Sequence, residues 1–216
     1  MTSNGTTKDN KPLLAEVADY YSEKLATHGA NARGVDWNGE ESQVLRFQQL
    51  CLLVGKSGPY SINDLGCGYG ALYDYLRSDC ADLDYLGVDV SAAMIEAASQ
   101  RFGSDSRARF VVAAAPDAIA DFGVASGIFN VRMGRSDEEW ARYLESTLDV
   151  LDRTSRLGFA FNCLTSYSDA DRMRADLYYA DPCRLFDLCK RRYSRHVALL
   201  HDYGLYEFTI IVRKTA

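Results

Sequence analysis

Short apolar runs alternate with stretches of helical spacing along most of the chain. Runs of strand length occur at residues 61–65, 84–91, 109–113, 122–129 and 157–163. Apolar residues that recur every three or four positions predict helices at residues 71–76, 92–102, 136–154 and 182–192. Strands separated by helices are typical of a parallel sheet with helices packed on its faces. The pattern therefore predicts an α/β domain.

The two ends of the chain depart from this alternation. Residues 1–11 are polar and predict a disordered tail. Two helices are predicted before the first strand, one over residues 13–27 and one that carries the apolar positions of residues 44–54. Residues 196–201 and 206–213 predict two strands joined by a short turn, which is an antiparallel hairpin.

A glycine-rich turn follows the first predicted strand. Residues 64–70 are Asp-Leu-Gly-Cys-Gly-Tyr-Gly, and helical spacing begins directly after them. Glycines let backbone N–H groups and the helix N-terminus approach a ligand closely. Their spacing, Gly66, Gly68 and Gly70, differs from the Gly-x-Gly-x-x-Gly of dinucleotide-binding turns. Asp64 adds a carboxylate beside the turn, which suits a ligand with a cationic group better than a phosphate.

The next strand also ends in an acid. Asp89 follows Asp64 after one helix and one strand. In a doubly wound sheet this places Asp89 at the end of the neighbouring strand, where an acid binds both hydroxyls of a ribose. The Asp-x-Gly-x-Gly-x-Gly pattern with this second acid resembles motif I and the following acidic strand end of the class I S-adenosylmethionine-dependent methyltransferases. The final hairpin also resembles that family, because the sixth strand of a nicotinamide-binding Rossmann domain is parallel.

The resemblance covers roughly residues 59–216 and implies a fold and a cofactor. The fold is α/β, a Rossmann-like doubly wound sheet of about seven mostly parallel strands with a C-terminal antiparallel hairpin and helices on both faces. The cofactor is S-adenosyl-L-methionine. Residues 12–216 then form a single methyltransferase domain, in which 12–57 is an N-terminal helical lid and 58–216 is the Rossmann-like core. The implied cofactor-binding residues are Asp64, Gly66, Cys67, Gly68, Asp89, Val90, Met94, Ala114 and Asn130.

One position departs from the family. Many members carry an acid just after the third strand that accepts a hydrogen bond from the adenine amino group, and here that position is Ala114. Asp117 or the backbone alone is left to hold the adenine.

The acceptor is expected to lie beyond the fourth strand, because ligands bind at the carboxyl ends of parallel strands. Residues 164–181 form a long loop rich in tyrosine and arginine, and such loops in compact domains are usually functional. In the family the N-terminal helices also contribute to the substrate lid, which makes Trp37 a further candidate. The expected substrate-facing residues are Tyr21, Arg132, Met133, Tyr167, Arg172 and Tyr178.

Methyl transfer needs positioning more than a dedicated catalytic group, because the methyl carbon is already activated. Candidates for a general base are His28 and His201, and Tyr21 could orient a hydroxyl. A carboxylate acceptor would need no base, and arginines would bind it. The residues therefore favour an O or N atom of a small polar molecule, and the arginines favour an anionic one. No metal site is predicted.

Composition narrows the class of protein. A length of 216 residues with 47% hydrophobic and 25% charged residues is typical of one globular domain. The net charge of −6 argues against a nucleic-acid or membrane partner. Six cysteines without a Cys-x-x-Cys pair predict reduced thiols in a cytoplasmic protein. Neither a membrane-spanning run nor a leader is predicted.

Other functions stay open. A non-catalytic S-adenosylmethionine-binding module would explain the missing acid at Ala114 and the lack of a clear base. A methyltransferase acting on a protein or nucleic acid would need a broad accessory surface, for which the chain has no spare domain. The aromatic residues of the N-terminal helices suit a lid or a homodimer interface, and the sequence does not choose between them.

Overall fold

The computed structural model describes residues 11–37, 39–55 and 58–215. Its strands are β1 (Tyr60–Leu65), β2 (Leu83–Asp89), β3 (Ala108–Val112), β4 (Ala120–Ala125), β5 (Ser155–Leu164), β6 (His196–Leu200) and β7 (Glu207–Arg213). Its α-helices are α1 (Lys11–His28), α2 (Glu40–Cys51), α3 (Ala71–Leu76), α4 (Ala92–Phe102), α5 (Asp137–Arg153) and α6 (Pro182–Arg192). Short 3₁₀ turns occupy Ala32–Val35 and Ala170–Arg172. Apart from Lys11, which begins α1, the predicted tail lies outside the described residues.

The strands form one sheet in the order β3-β2-β1-β4-β5-β7-β6. β1 pairs in parallel with both β2 and β4, so the strand order reverses at this pair. β7 lies between β5 and β6 and runs antiparallel to both. The predicted fold class is confirmed. The last strand lies beside β5 inside the sheet, and β6 forms the edge.

Both faces of the sheet are buried, which gives two apolar cores. One contains Ile62, Tyr85 and Phe47 and lies under α2 and α3. The other contains Phe161 and Trp140 and lies under α1, α5 and α6. The Trp140 side chain is fully buried, and its Nε1–H donates to the Phe129 carbonyl at 2.8 Å.

β4 ends earlier than the sequence predicts. The apolar run at 122–129 predicts a strand to its last residue, but β4 ends at Ala125. Gly127 takes a φ of +76°, and its N–H donates to the side-chain Oδ1 of Asn162 in β5 at 2.8 Å instead of to a backbone carbonyl of that strand. The end of the apolar run is buried in the core without pairing in the sheet. The residues that follow β4 at the carboxyl edge are therefore Ser126 and Gly127.

The connection between β3 and β4 is short, and residues 113–119 contain no helix. α1 packs against the face of the sheet to which Val111 of β3 contributes. Leu14 and Val17 of α1 pack against the same core as Val111 of β3 and Val150 of α5. The N-terminal helix is therefore part of the core and does not only cover the site.

None of the helices in the described part of the chain is long and apolar enough to cross a membrane.

Candidate active site

A cavity of about 390 Å³ lies at the carboxyl edge of the sheet, beyond the ends of the neighbouring strands β1 and β4. This is the position at which open α/β sheets bind ligands, and the volume falls in the range of small-molecule sites. Eight of the predicted cofactor-binding residues line the cavity, namely Asp64, Gly66, Cys67, Gly68, Asp89, Val90, Met94 and Ala114. Asn130 lies outside the lining. It is buried, and its Oδ1 accepts from the Leu164 N–H at 3.4 Å.

The glycine turn needs its glycines. Gly66, Gly68 and Gly70 all have a positive φ, at 80°, 55° and 82°. A Cβ on Gly66 would lie 2.1 Å from Cγ2 of Ile128, so a side chain there would collide with Ile128. The turn is tied to β2, because the Gly66 N–H donates to the Val88 carbonyl at 2.7 Å. The backbone is thus held open toward the cavity.

Asp89 is anchored by the backbone on both of its oxygens. The Gly68 N–H donates to Oδ2 at 2.9 Å, and the Ser91 N–H donates to Oδ1 at 2.8 Å. Burial raises the pKa of Asp89, and the hydrogen bonds from Ser91 and Gly68 oppose this rise. A carboxylate oxygen has two acceptor positions, so each oxygen keeps one for a ligand. This geometry suits a ligand with two neighbouring hydroxyl groups.

Asp64 is fully buried at the end of β1. Its Oδ2 accepts from the Tyr85 hydroxyl at 2.6 Å. Burial raises the pKa of Asp64 to about 7, the hydrogen bond from Tyr85 opposes the rise, and the charge of Asp89 adds to it. The carboxyl group therefore changes its charge near neutral pH, and a cationic ligand group beside it would favour the carboxylate.

The raised pKa of Asp64 predicts a pH-dependent stability. Because the folded pKa lies above the unfolded value, this group stabilises the ligand-free fold at low pH, and that contribution is lost as the pH rises from about 4 through 7. Its slope approaches about 1.4 kcal/mol per pH unit. Urea unfolding of Asp64→Asn between pH 4 and 8 should lack this slope. Asp84→Asn, an exposed acid of β2, should keep it. Equal pH profiles for Asp64→Asn and the wild type would contradict the prediction.

The adenine end expected from the sequence contains no acid from the β3–β4 connection. Residues 113–115 line the cavity with alanine. Asp117 forms an exposed ion pair with Arg109, with Nη2 of the arginine 2.6 Å from Oδ1. Ser146 and Thr147 of α5 line the same cavity and were not singled out from the sequence. The sequence around these two residues gives only a weak signal of a binding role. In the fold, both hydroxyls donate to the Tyr143 carbonyl one turn earlier in the helix.

The N-terminal segment covers one side of the cavity. Tyr21 of α1 lines it, together with Trp37 and neighbouring residues up to Phe47 of α2. The segment is fastened to the core, since the Ser22 and Ser91 hydroxyl oxygens lie 2.9 Å apart. Within the segment, Asp36 accepts from the Tyr20 hydroxyl at 2.8 Å and from Lys24 Nζ at 2.7 Å. Burial would raise the pKa of Asp36, but these two donors hold it below its usual range.

The other residues expected at the substrate or as a base lie outside the cavity lining. They are His28, Arg132, Met133, Tyr167, Arg172, Tyr178 and His201. The Arg132 guanidinium donates to the Ala175 carbonyl at 2.7 and 3.1 Å and pairs with Asp137, so it fastens the long loop to the segment after β4. His28 and His201 are exposed.

Comparison with known proteins bears on the family. The methyltransferase domain model matches residues 63–154. A Mycobacterium tuberculosis (strain ATCC 25618 / H37Rv) protein named "Putative methyltransferase Rv1506c" is 63% identical over 164 residues, which is 76% of this chain and 99% of the relative. The chain belongs to the class I S-adenosylmethionine-dependent methyltransferases.

Solved structures share the fold of this methyltransferase. The N-methyltransferase NodS from Bradyrhizobium japonicum WM9, solved with S-adenosyl-L-homocysteine, has a TM-score of 0.65 at 15% identity and covers 92% of this chain and 98% of its own. A 1,6-didemethyltoxoflavin-N1-methyltransferase from Burkholderia thailandensis has a TM-score of 0.57 at 18% identity, and the match covers 100% of this chain and 93% of that one. At these identities the likeness shows the fold alone.

Proposed function

We propose that this methyltransferase transfers a methyl group from S-adenosyl-L-methionine to an O or N atom of a small polar molecule. The observation that carries the proposal is a pair of carboxylates, the buried Asp64 and the partly buried Asp89, on either side of a glycine turn in one cavity. Gly66 and Gly68 line the cavity without side chains, so their backbone is accessible to the amino-acid part of the cofactor. When bound, S-adenosyl-L-methionine supplies a methyl carbon that its sulfonium activates.

The cavity residues fit the parts of this cofactor. The free acceptor positions of Asp89 suit the ribose hydroxyls, and Asp64 suits the neighbourhood of a cationic group. Val90, Met94 and Ala114 offer an apolar site for adenine. The Ser126 hydroxyl oxygen is buried without a hydrogen-bond partner among the described residues. A bound ligand with a polar atom at the end of β4 would supply that partner.

The acceptor is proposed to lie against the aromatic side of the cavity. Tyr21 and Trp37 line this side, and their rings favour a planar molecule. Burial raises the pKa of Tyr21, so its hydroxyl stays protonated near neutral pH and can donate to the acceptor but not act as a base. Residues 12–57 would serve as the lid and 58–216 as the core. The Burkholderia neighbour was solved with 1,6-didemethyltoxoflavin bound, which supports a small-molecule acceptor.

An anionic acceptor remains part of the proposal, but the arginines predicted to bind it lie outside the cavity lining. The cationic residues that line the cavity are Lys11 and Arg153. Matched pairs of planar molecules, with and without a carboxylate, would therefore tell whether the negative charge contributes.

The test is turnover on such a panel. The protein is incubated with S-adenosyl-L-methionine and pairs of hydroxylated or aminated aromatic molecules, and S-adenosylhomocysteine and the methylated product are measured by mass spectrometry. We expect product with at least one class, and Tyr21→Phe should lower the rate by about tenfold, since it removes one orienting hydrogen bond. Tyr206→Phe, which changes an exposed tyrosine, should not.

Two outcomes would replace the proposal. Cofactor binding without turnover of any molecule of the panel, of RNA or of protein would favour a non-catalytic binding module. Salt-sensitive methylation of RNA or protein, with none of small molecules, would favour a macromolecular acceptor.

A further inference from the structure

A buried chain of polar side chains runs behind the aromatic side of the cavity. Arg46 Nε of α2 donates to Glu207 Oε2 of β7 at 2.8 Å, and Asn162 Nδ2 of β5 donates to the same oxygen at 2.9 Å. Asn162 Oδ1 accepts from the Gly127 N–H at 2.8 Å. The three side chains belong to residues that are 5%, 2% and 0% exposed. We call this chain, from Arg46 to Gly127, the buried relay.

Both ends of the buried relay meet at Trp37. The guanidinium carbon of Arg46 lies 3.8 Å from the centre of the Trp37 ring, which is a cation–π contact. At the other end, a Cβ on Gly127 would lie 2.3 Å from Cζ2 of Trp37, so the indole packs directly on the Gly127 backbone. Trp37 and Gly127 both line the cavity. The buried relay and the indole therefore form a closed ring of contacts along the side of the cavity that Trp37 and Gly127 line.

Stability alone does not explain this arrangement. A buried ion pair can generally be replaced by packed apolar residues with little loss of stability, because desolvation offsets the attraction. Arg46 Nη1 also stays buried without a hydrogen-bond partner among the described residues, as does Ser126 Oγ beside Gly127. What the relay does provide is a fixed direction for the Gly127 peptide and a fixed plane for the indole.

We propose that Arg46, Glu207 and Asn162 are positioning residues for the methyl acceptor. They hold Trp37 and Gly127 as a rigid wall, against which a planar acceptor packs with a polar atom at the Ser126 hydroxyl. The three residues do not touch the acceptor themselves. This inference rests on the proposed function, because it assigns the acceptor to that wall.

The rigidity of the wall formed by Trp37 and Gly127 can be measured without any acceptor. In a Trp140→Phe background Trp37 is the one remaining tryptophan of the sequence, so acrylamide quenching reports on its anchoring. Arg46→Met is expected to raise the quenching constant about twofold and to speed amide exchange at Gly127 by about tenfold or more, since the hydrogen bond to Asn162 loses its support. The dissociation constant of S-adenosylhomocysteine, measured by calorimetry, should change by less than about threefold, because Arg46 lies outside the cavity lining.

Arg77→Met is the matched control. Arg77 also pairs with a carboxylate, Asp74, at 2.9 Å and lies over an aromatic ring, Phe102, at 5.1 Å. It is outside the cavity lining. It should leave both the Gly127 exchange and the Trp37 quenching as they are in the wild type.

A double variant separates positioning from folding. Arg46→Met with Glu207→Leu removes both charges and should restore the thermal midpoint to near the wild-type value. Gly127 exchange and Trp37 quenching should nevertheless stay altered. The proposal is overturned if the double variant restores both, or if Arg46→Met changes neither.

The acceptor part is read from kinetics. With an acceptor found in the panel, the double variant should lower kcat/KM for that acceptor by about tenfold or more and leave the KM for S-adenosyl-L-methionine unchanged. Equal effects on both substrates, or none, would overturn it. If the wild type turns over no acceptor, the proposed function fails and the acceptor role with it. The exchange and quenching results then still show whether the relay holds the wall.

Discussion

Replacing Asp89 by alanine is expected to weaken binding of S-adenosyl-L-methionine and S-adenosylhomocysteine by about 100-fold or more. The change removes two proposed charge-assisted hydrogen bonds to the ligand, each of about 1.5–3 kcal/mol. It also removes the acceptor that holds the Gly68 and Ser91 N–H groups, so the glycine turn loses an anchor. Calorimetric titration of both ligands would measure the loss.

Two companion variants define what the loss means. Asp89→Asn keeps one acceptor oxygen and should bind about tenfold less tightly than the wild type. Asp84→Ala alters an exposed acid on the same strand and should bind normally. Unchanged affinity in a folded Asp89→Ala protein would remove the cofactor assignment of this residue.

The second large effect is expected in stability. Glu207→Ala leaves the Arg46 guanidinium buried without its carboxylate and leaves Asn162 Nδ2 without its acceptor. Removing one partner of a buried ion pair costs about 3–5 kcal/mol. For a domain of this length that corresponds to a fall in the thermal midpoint of roughly 10 °C. Urea unfolding and calorimetry would give both values.

The matched control is an exposed pair. Arg191 Nε lies 2.7 Å from Asp187 Oδ2 on the surface of α6, where the two side chains are 78% and 58% exposed. Asp187→Ala should leave the free energy of unfolding close to the wild-type value, because solvent screens such pairs. A similar small cost for Glu207→Ala would show that the buried pair is tolerated without its acid.

The residues on the side of the cavity that we propose for the cofactor could be predicted because they follow a local sequence pattern. The glycine turn requires glycines at fixed positions, and Asp89 follows at a strand end one crossover later. The direction that a polar side chain takes after folding is harder to predict from the sequence. Arg132 is of the right type to bind an anion, but the Ala175 carbonyl and Asp137 engage it only once the long loop has folded back.

The side of the cavity that we propose for the acceptor was harder to predict for the same reason. Arg46 and Glu207 are 161 positions apart, and no local pattern links them. In the sequence Arg46 is one charged residue of an amphipathic helix, whereas in the fold it is 5% exposed. The end of β4 was misplaced because a continuous apolar run does not show where a glycine with positive φ turns the backbone away from the sheet.

The insertion of β7 between β5 and β6 has a consequence for the order in which the protein can be completed. On the ribosome, β6 emerges before β7 but pairs with β7 alone. β5 likewise waits for β7 to cover its outer edge, and Arg46 waits for Glu207 of that strand. Until then the nascent chain exposes an unpaired strand edge, which favours aggregation. Completion of this side of the sheet is therefore expected only after synthesis of the last strand.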